Sequence, residues 1–137
     1  MGSILAVDDE PDMLTLIKMI IEGYSNHQVT TTSNPMEVAE LLTKNRFDLI
    51  ITDLKMPGMD GMELLELAKK HDNQVLVLMV TAFGSLASAE EAVTKGAFDY
   101  ISKPFRKEQL LIAIDKAMRW REMALQIKEL QGKLEGE

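Results

Sequence analysis

The sequence predicts one α/β domain: a doubly wound, five-stranded parallel sheet with helices on both faces. Three observations lead there. Strand-like and helix-like segments alternate five times over, joined by short connections. The strand-like runs are short and almost continuously apolar, Ile4-Leu5-Ala6-Val7 and Leu49-Ile50-Ile51-Thr52-Asp53-Leu54 among them, as suits strands covered on both faces. A chain of 137 residues holds one sizeable core and one appended element, without room for a second globular domain.

Ile4 to Val7 is the first strand, ended by Asp8-Asp9-Glu10-Pro11. Pro11 suits a first helical turn, where its missing N–H costs nothing, and Met13, Leu14, Leu16, Ile17, Ile20 and Ile21 keep helical spacing until Gly23. Val29 to Thr32 is β-branched and forms the second strand. Ser33-Asn34-Pro35 couples a cap to a proline at the first helical position, opening a helix whose apolar stripe is Met36, Val38, Ala39, Leu41 and Leu42. Leu49 to Leu54 is the third strand, and the Pro57-Gly58 and Asp60-Gly61 pairs mark a tight loop after it. Met62 to Lys70 is a helix with Leu64, Leu65 and Ala68 inward. Val75 to Val80 is the fourth strand, with Thr81-Ala82 directly behind it. Ser85 to Lys95 is a helix closed by Gly96 in the position of a C-terminal cap. Phe98 to Ser102 is the fifth strand, ending in Lys103-Pro104-Phe105, and the last helix starts near Lys107.

Hydrophobic content of 46% and charged content of 27% are ordinary for a globular chain and argue against disorder. The net charge of -7 argues against direct nucleic-acid binding, because phosphate contacts need surplus Lys and Arg. It leaves open a role in transcription through another domain. With no cysteine there is no disulfide, thiolate metal site or thiol nucleophile. The first apolar run is too short for a leader core or a membrane span, so the expectation is a cytoplasmic protein with no membrane contact. His27 and His71 lie near turns and read as surface residues, and the ten methionines read as core and loop fillers.

Right-handed crossovers put the C-terminal end of every strand on one rim. Asp8 and Asp9 follow the first strand, Asp53 the third, Thr81 the fourth and Lys103 the fifth. Taken singly, an acid after a strand is commonly a helix cap and a lone lysine is commonly solvated. Their coincidence at matching strand ends points to a site in the crevice where open α/β sheets bind ligands. Carboxylates brought together repel one another and call for a cation. Hard oxygen ligands with open positions suit Mg²⁺. A carboxylate beside such an ion, an ammonium and a hydroxyl is arranged for phosphoryl transfer, with Asp53 as nucleophile.

Through Val7-Asp8-Asp9-Glu10, Asp53 with Met56-Pro57-Gly58-Met59-Asp60-Gly61, Thr81-Ala82 and Lys103-Pro104-Phe105, the chain resembles the receiver domain of two-component response regulators over roughly residues 3–118. The resemblance implies a flavodoxin-like receiver fold and Asp53 as phosphoacceptor. It implies Asp9, Asp53 and the backbone carbonyl of Lys55 as Mg²⁺ ligands, with Asp8 beside them and partly acting through water. Thr81, with Ala82 next to it, is similar to the family's switch position, Tyr100 to its aromatic switch partner, and Lys103 to the lysine that pairs with the phosphoryl group. A half-buried strand aromatic is the alternative reading of Tyr100. The family has a cis bond where Lys103-Pro104 stands, and its variable positions match Lys55 and Phe83. The implied partner is a sensor histidine kinase. Gly96 to Phe105 is similar to receivers that precede ATPase domains of NtrC-like enhancer-binding transcription activators, which would make an effector domain the missing output.

Residues 119–137 form a C-terminal helical extension. Leu110, Leu111, Ile114, Ala117 and Met118 can cover the sheet, but Trp120, Met123, Ile127, Leu130 and Leu134 then alternate at steps of three and four, the a/d spacing of a coiled coil. Three readings remain: a linker helix, a homodimer through the last helices, or a tail folded onto its own domain. Two other function classes compete with the switch. A hydrolase with an aspartyl-phosphate intermediate would carry a second acid two residues after the nucleophile, where this chain has Lys55. A degenerate receiver serving only as a binding module fits less well, because the acidic pair, Asp53, Thr81 and Lys103 are all present; a stand-alone receiver acting by protein–protein contact is the alternative to control of an effector domain.

Overall fold

The computed structural model describes residues 2–82 and 86–135. The expected start of the fourth helix at Ser85 and the position of Phe83 lie outside the described residues. The elements run β1 (Ser3–Val7), α1 (Pro11–Tyr24), β2 (Gln28–Thr32), α2 (Val38–Lys44), β3 (Leu49–Thr52), α3 (Gly61–His71), β4 (Leu76–Ala82), α4 (Leu86–Thr94), β5 (Asp99–Lys103) and α5 (Lys107–Glu135). All strand pairs are parallel, in the order β2-β1-β3-β4-β5. The chain steps from β1 to β2 on one side and returns to β3 on the other, so the switch point lies between β1 and β3.

The central strands are buried on both faces because successive side chains alternate between two cores. Ile4, Ala6, Leu49, Ile51, Leu78 and Val80 join α1 and α5 through Leu14, Ile17, Ile21, Leu110 and Ile114. Leu5, Val7, Ile50, Val77 and Met79 join the opposite layer through Val38, Leu64, Leu65, Ala68 and Ala92. Every element of the doubly wound expectation is present. β4 extends to Ala82 because its pairing with β5 continues through Ala82 opposite Lys103.

The second helix departs from its predicted stripe. It opens with a 3-10 turn over Pro35–Glu37, capped by Asn34, whose side chain accepts from the Met36 N–H at 3.0 Å. Three residues per turn shifts the phase of the α-helix behind it. Pro35 and Val38 point inward, whereas Met36 and Ala39 are exposed. His27 is half-buried rather than a plain surface residue, since its Nδ1 accepts the Gly2 N–H at 2.9 Å. α4 ends as the glycine predicts: Gly96 takes φ +121°, its N–H reaches Val93 O at 3.1 Å, and the Ala97 N–H reaches Ala92 O at 2.9 Å.

β2 lies at the end of the sheet. Its Gln28 N–H and Thr32 carbonyl bond to the β1 side, so the backbone N–H and carbonyl of Val29 between them point away from the sheet, while its side chain is buried in the core. Lys18 Nζ donates to Val29 O at 2.7 Å and Glu22 Oε2 accepts from Val29 N at 2.9 Å. At the far end of the fold, Arg121 in α5 is buried, a feature with no counterpart in the predicted stripe. The five side chains of the stripe, Trp120, Met123, Ile127, Leu130 and Leu134, are all exposed, and the Trp120 ring lies 6.4 Å from that of Phe98.

Candidate functional site

Strand register assembles the site. Val7 is level with Thr52, so Asp8 and Asp53 leave adjacent strands side by side at the switch point. The Asp53 N–H donates to Val7 O at 3.1 Å and the Asp8 N–H to Thr32 O at 3.3 Å, which fixes both backbones. Thr52 is level with Met79, bringing Thr81 to the same rim, and Ala82 is level with Lys103.

Asp8, Asp9, Glu10 and Asp53 offer carboxylate oxygens that all lie within 4.8 Å of one another. Asp8 is buried, with Oδ1 accepting the Glu10 N–H at 2.9 Å. Asp9 is exposed, and Asp53 is partly covered. Lys103 Nζ closes the cluster, 2.9 Å from Asp8 Oδ2, 3.1 Å from Asp53 Oδ2 and 3.8 Å from Glu10 Oε1. Burial of this amine acts to lower its pKa, but hydrogen bonds to Asp8 and Asp53, and their charges, outweigh that and hold it above the ordinary 10.5. Glu10 belongs to the cluster although its role does not stand out in the sequence. Its only signal there is being the third acid in the run after β1.

The loop from Asp53 to α3 is pinned by backbone. The Lys55 N–H donates to Asp53 Oδ1 at 3.3 Å, and the Gly61 N–H to Leu54 O at 2.7 Å. A Cβ on Gly61 would lie 2.7 Å from Asp53 O and 2.9 Å from Leu54 Cα, so only glycine lets α3 start this close. Asp60 caps α3, its Oδ1 accepting the Glu63 N–H at 2.9 Å. Thr81 is buried near the end of β4, Ala82 is exposed, and Tyr100, level with Met79, is half-buried against the α3 side of the core. The Lys103–Pro104 bond is cis.

An all-oxygen donor set, part buried and part open to solvent, fits a hard divalent ion that retains waters and meets a phosphate oxygen. It does not fit a soft metal, which would want sulfur or imidazole. Among the described residues no helix is long and apolar enough to cross a membrane.

Residues 4–115 match the family described as response regulator receiver domain. The chain is 37% identical over 130 residues to the transcriptional regulatory protein GlrR of Escherichia coli, covering 87% of this chain and 29% of that protein. It is 35% identical over 115 residues to sporulation initiation phosphotransferase F of Bacillus subtilis, covering 82% of this chain and 90% of that protein. A crystal structure of a response regulator receiver domain protein from Clostridium thermocellum superposes with a TM-score of 0.85 at 35% identity, covering 90% of this chain and 99% of that one. The chain thus spans under a third of GlrR and most of the sporulation protein.

Proposed function

Since this chain belongs to the response regulator receiver domain family, we propose that it is a signalling switch in which Asp53 takes a phosphoryl group from a sensor histidine kinase. The observation that carries this reading is the convergence of four carboxylates on one rim with the Lys103 amine between Asp8 and Asp53. Asp53 Oδ forms the bond to phosphorus as the donor's nitrogen–phosphorus bond breaks. Asp9, Asp53 and the Lys55 carbonyl would hold Mg²⁺, with Asp8 acting partly through water. Bound there, the ion neutralises charge on the phosphoryl oxygens. Lys103 exchanges its contact with Asp53 for one of those oxygens, and the Thr81 hydroxyl donates to another, drawing the end of β4 inward. The Tyr100 ring follows into the vacated space and alters the face formed by α4, β5 and α5.

The domain is then a relay rather than a turnover enzyme. Lys55, two residues past Asp53, offers no carboxyl to serve as general acid or base toward an external substrate, and only its backbone N–H meets Asp53. Residues 3–118 act as the receiver and 119–137 as linker and dimer contact. The output is an effector domain for transcription, with the protein acting in the cytoplasm. GlrR supports this, being a transcriptional regulatory protein of more than three times the matched length. A stand-alone receiver acting by protein contact is the second reading, favoured by the 90% coverage of the sporulation phosphotransferase.

The test is incubation with a small acyl-phosphate donor and Mg²⁺, read by intact mass and by oligomeric state. One added phosphoryl group on the wild type and none on Asp53→Asn is the expected result. Equal modification of both would overturn the assignment.

A further inference from the structure

α5 is one continuous helix of 29 residues, about 43 Å long at 1.5 Å per residue. Its buried face runs through Leu110, Ala113, Ile114 and Ala117. The next position on that face, four residues on, is Arg121, whose side chain is only 4% exposed. It is the last buried side chain of α5 among the described residues, and from Gln126 to Leu134 everything is exposed.

An apolar residue would suffice to extend the packing by one turn. Arg121 instead spreads its guanidinium over acceptors from separate segments. Nε donates to Asp48 Oδ1 at 2.8 Å, Nη1 donates to the Gln74 carbonyl, and Nη2 lies 3.9 Å from Asp72 Oδ2. Asp48 in turn accepts the Ser3 N–H on its other oxygen at 2.8 Å. The side chain therefore ties α5 to the starts of β1, β3 and β4, at the rim opposite Asp53. Lys69 donates to Val75 O at 2.5 Å, and burial lowers its pKa, so the competing cation nearby is turned away to its own acceptor.

A planar fork meeting acceptors in fixed directions defines orientation as well as distance, which greasy packing does not. We propose that Arg121 is a clamp that fixes the direction in which α5 leaves the domain, making residues 122–135 a rigid lever rather than a loose tail. The clamp also sets which way the stripe of Met123, Ile127, Leu130 and Leu134 faces. It holds in a monomer and does not depend on phosphorylation of Asp53.

The test is the distance between nitroxide labels on cysteines placed at Glu66 in α3 and Lys128 in the extension, both exposed. The absence of native cysteine makes the labelling clean. Labelled chains are diluted with excess unlabelled protein so that only distances within one chain are read. The wild type gives one narrow distance, while Arg121→Met and, separately, Asp48→Asn give a broadened or displaced distribution with the far-ultraviolet spectrum and cooperative melt of a folded domain. A narrow, unshifted distribution in a folded Asp48→Asn or Arg121→Met protein would overturn the clamp, and so would a broad distribution in the wild type. The milder Asp48→Asn keeps the question answerable should Arg121→Met fail to fold. Neither result bears on whether Asp53 accepts phosphate.

Discussion

Replacing Gly61 by alanine tests whether backbone contact positions Asp53, the proposed phosphoacceptor. The added methyl would sit 2.7 Å from Asp53 O and 2.9 Å from Leu54 Cα, where ordinary contact begins at 3.4 Å, and both obstacles are backbone. Neither can rotate away, so α3 or the residue that carries the reacting carboxylate must move. Overpacking of this kind costs about 1–3 kcal/mol. With a urea slope of about 1–3 kcal/mol per molar, the unfolding midpoint falls by on the order of 1 M at constant slope. The displacement also spoils alignment at a centre where Lys103 Nζ stands 3.1 Å from Asp53 Oδ2. A misplacement near 1 Å can cost up to about 100-fold in rate. The assay pairs urea unfolding with the initial rate of modification by a small acyl phosphate. Gly132→Ala is the control: it lies in the exposed part of α5 with nothing near its would-be Cβ, and should be neutral or stabilising by up to about 1 kcal/mol. Lost stability with an unchanged rate of modification would refute the claim that Gly61 positions Asp53.

Lys103→Met leaves Asp8 and Asp53 facing one another without their amine, which costs about 3–5 kcal/mol when one partner of a buried pair is removed; Mg²⁺ should raise the melting temperature of this variant more than that of the wild type. Because the Lys103 amine titrates above 10.5 in the fold, its contribution to stability is complete below that pH and is lost as pH rises through the raised value. Urea midpoints measured into the alkaline range should therefore fall in the wild type and lack that limb in Lys103→Met. Thr81→Ala should still be phosphorylated yet fail to change partner binding or dimerisation, and a response equal to wild type would count against the hydroxyl's role. Trp120 is the sole tryptophan and is 55% exposed; its emission should shift to the blue with rising concentration if the α5 stripes pair, and Ile127→Asp should abolish the shift.

The fold is readable because its strands are uninterrupted apolar runs and its helices carry caps, a proline at the first turn or a closing glycine. The apolar pattern of α2 misleads at Met36 and Ala39, since the tighter opening turn alters which residues face inward and no residue type announces it. Asp8, Asp9, Asp53 and Lys103 stand out together because parallel strands deliver their ends to one rim, a consequence of topology rather than of spacing along the chain. Arg121 escapes a reading of the sequence because its partners are 73 and 47 residues away, and an arginine on a long helix ordinarily reads as solvated. Gly61 is visible there only as a turn residue; that a side chain at this position would run into the backbone of Asp53 follows from how closely α3 starts to the end of β3.

The paired side chains that α1 lays across Val29 bear on solubility. An outermost strand with bare amide and carbonyl groups is a template onto which another polypeptide can stack, and proteins that leave it open tend to aggregate. Here an ammonium and a carboxylate one helical turn apart already fill both positions. Removing them in a Lys18→Ala, Glu22→Ala double variant should leave the carboxylate rim untouched and still yield a protein prone to form fibrils or precipitate. Protection of the outermost strand is thus set by the Lys18 and Glu22 side chains of α1, apart from the carboxylate rim.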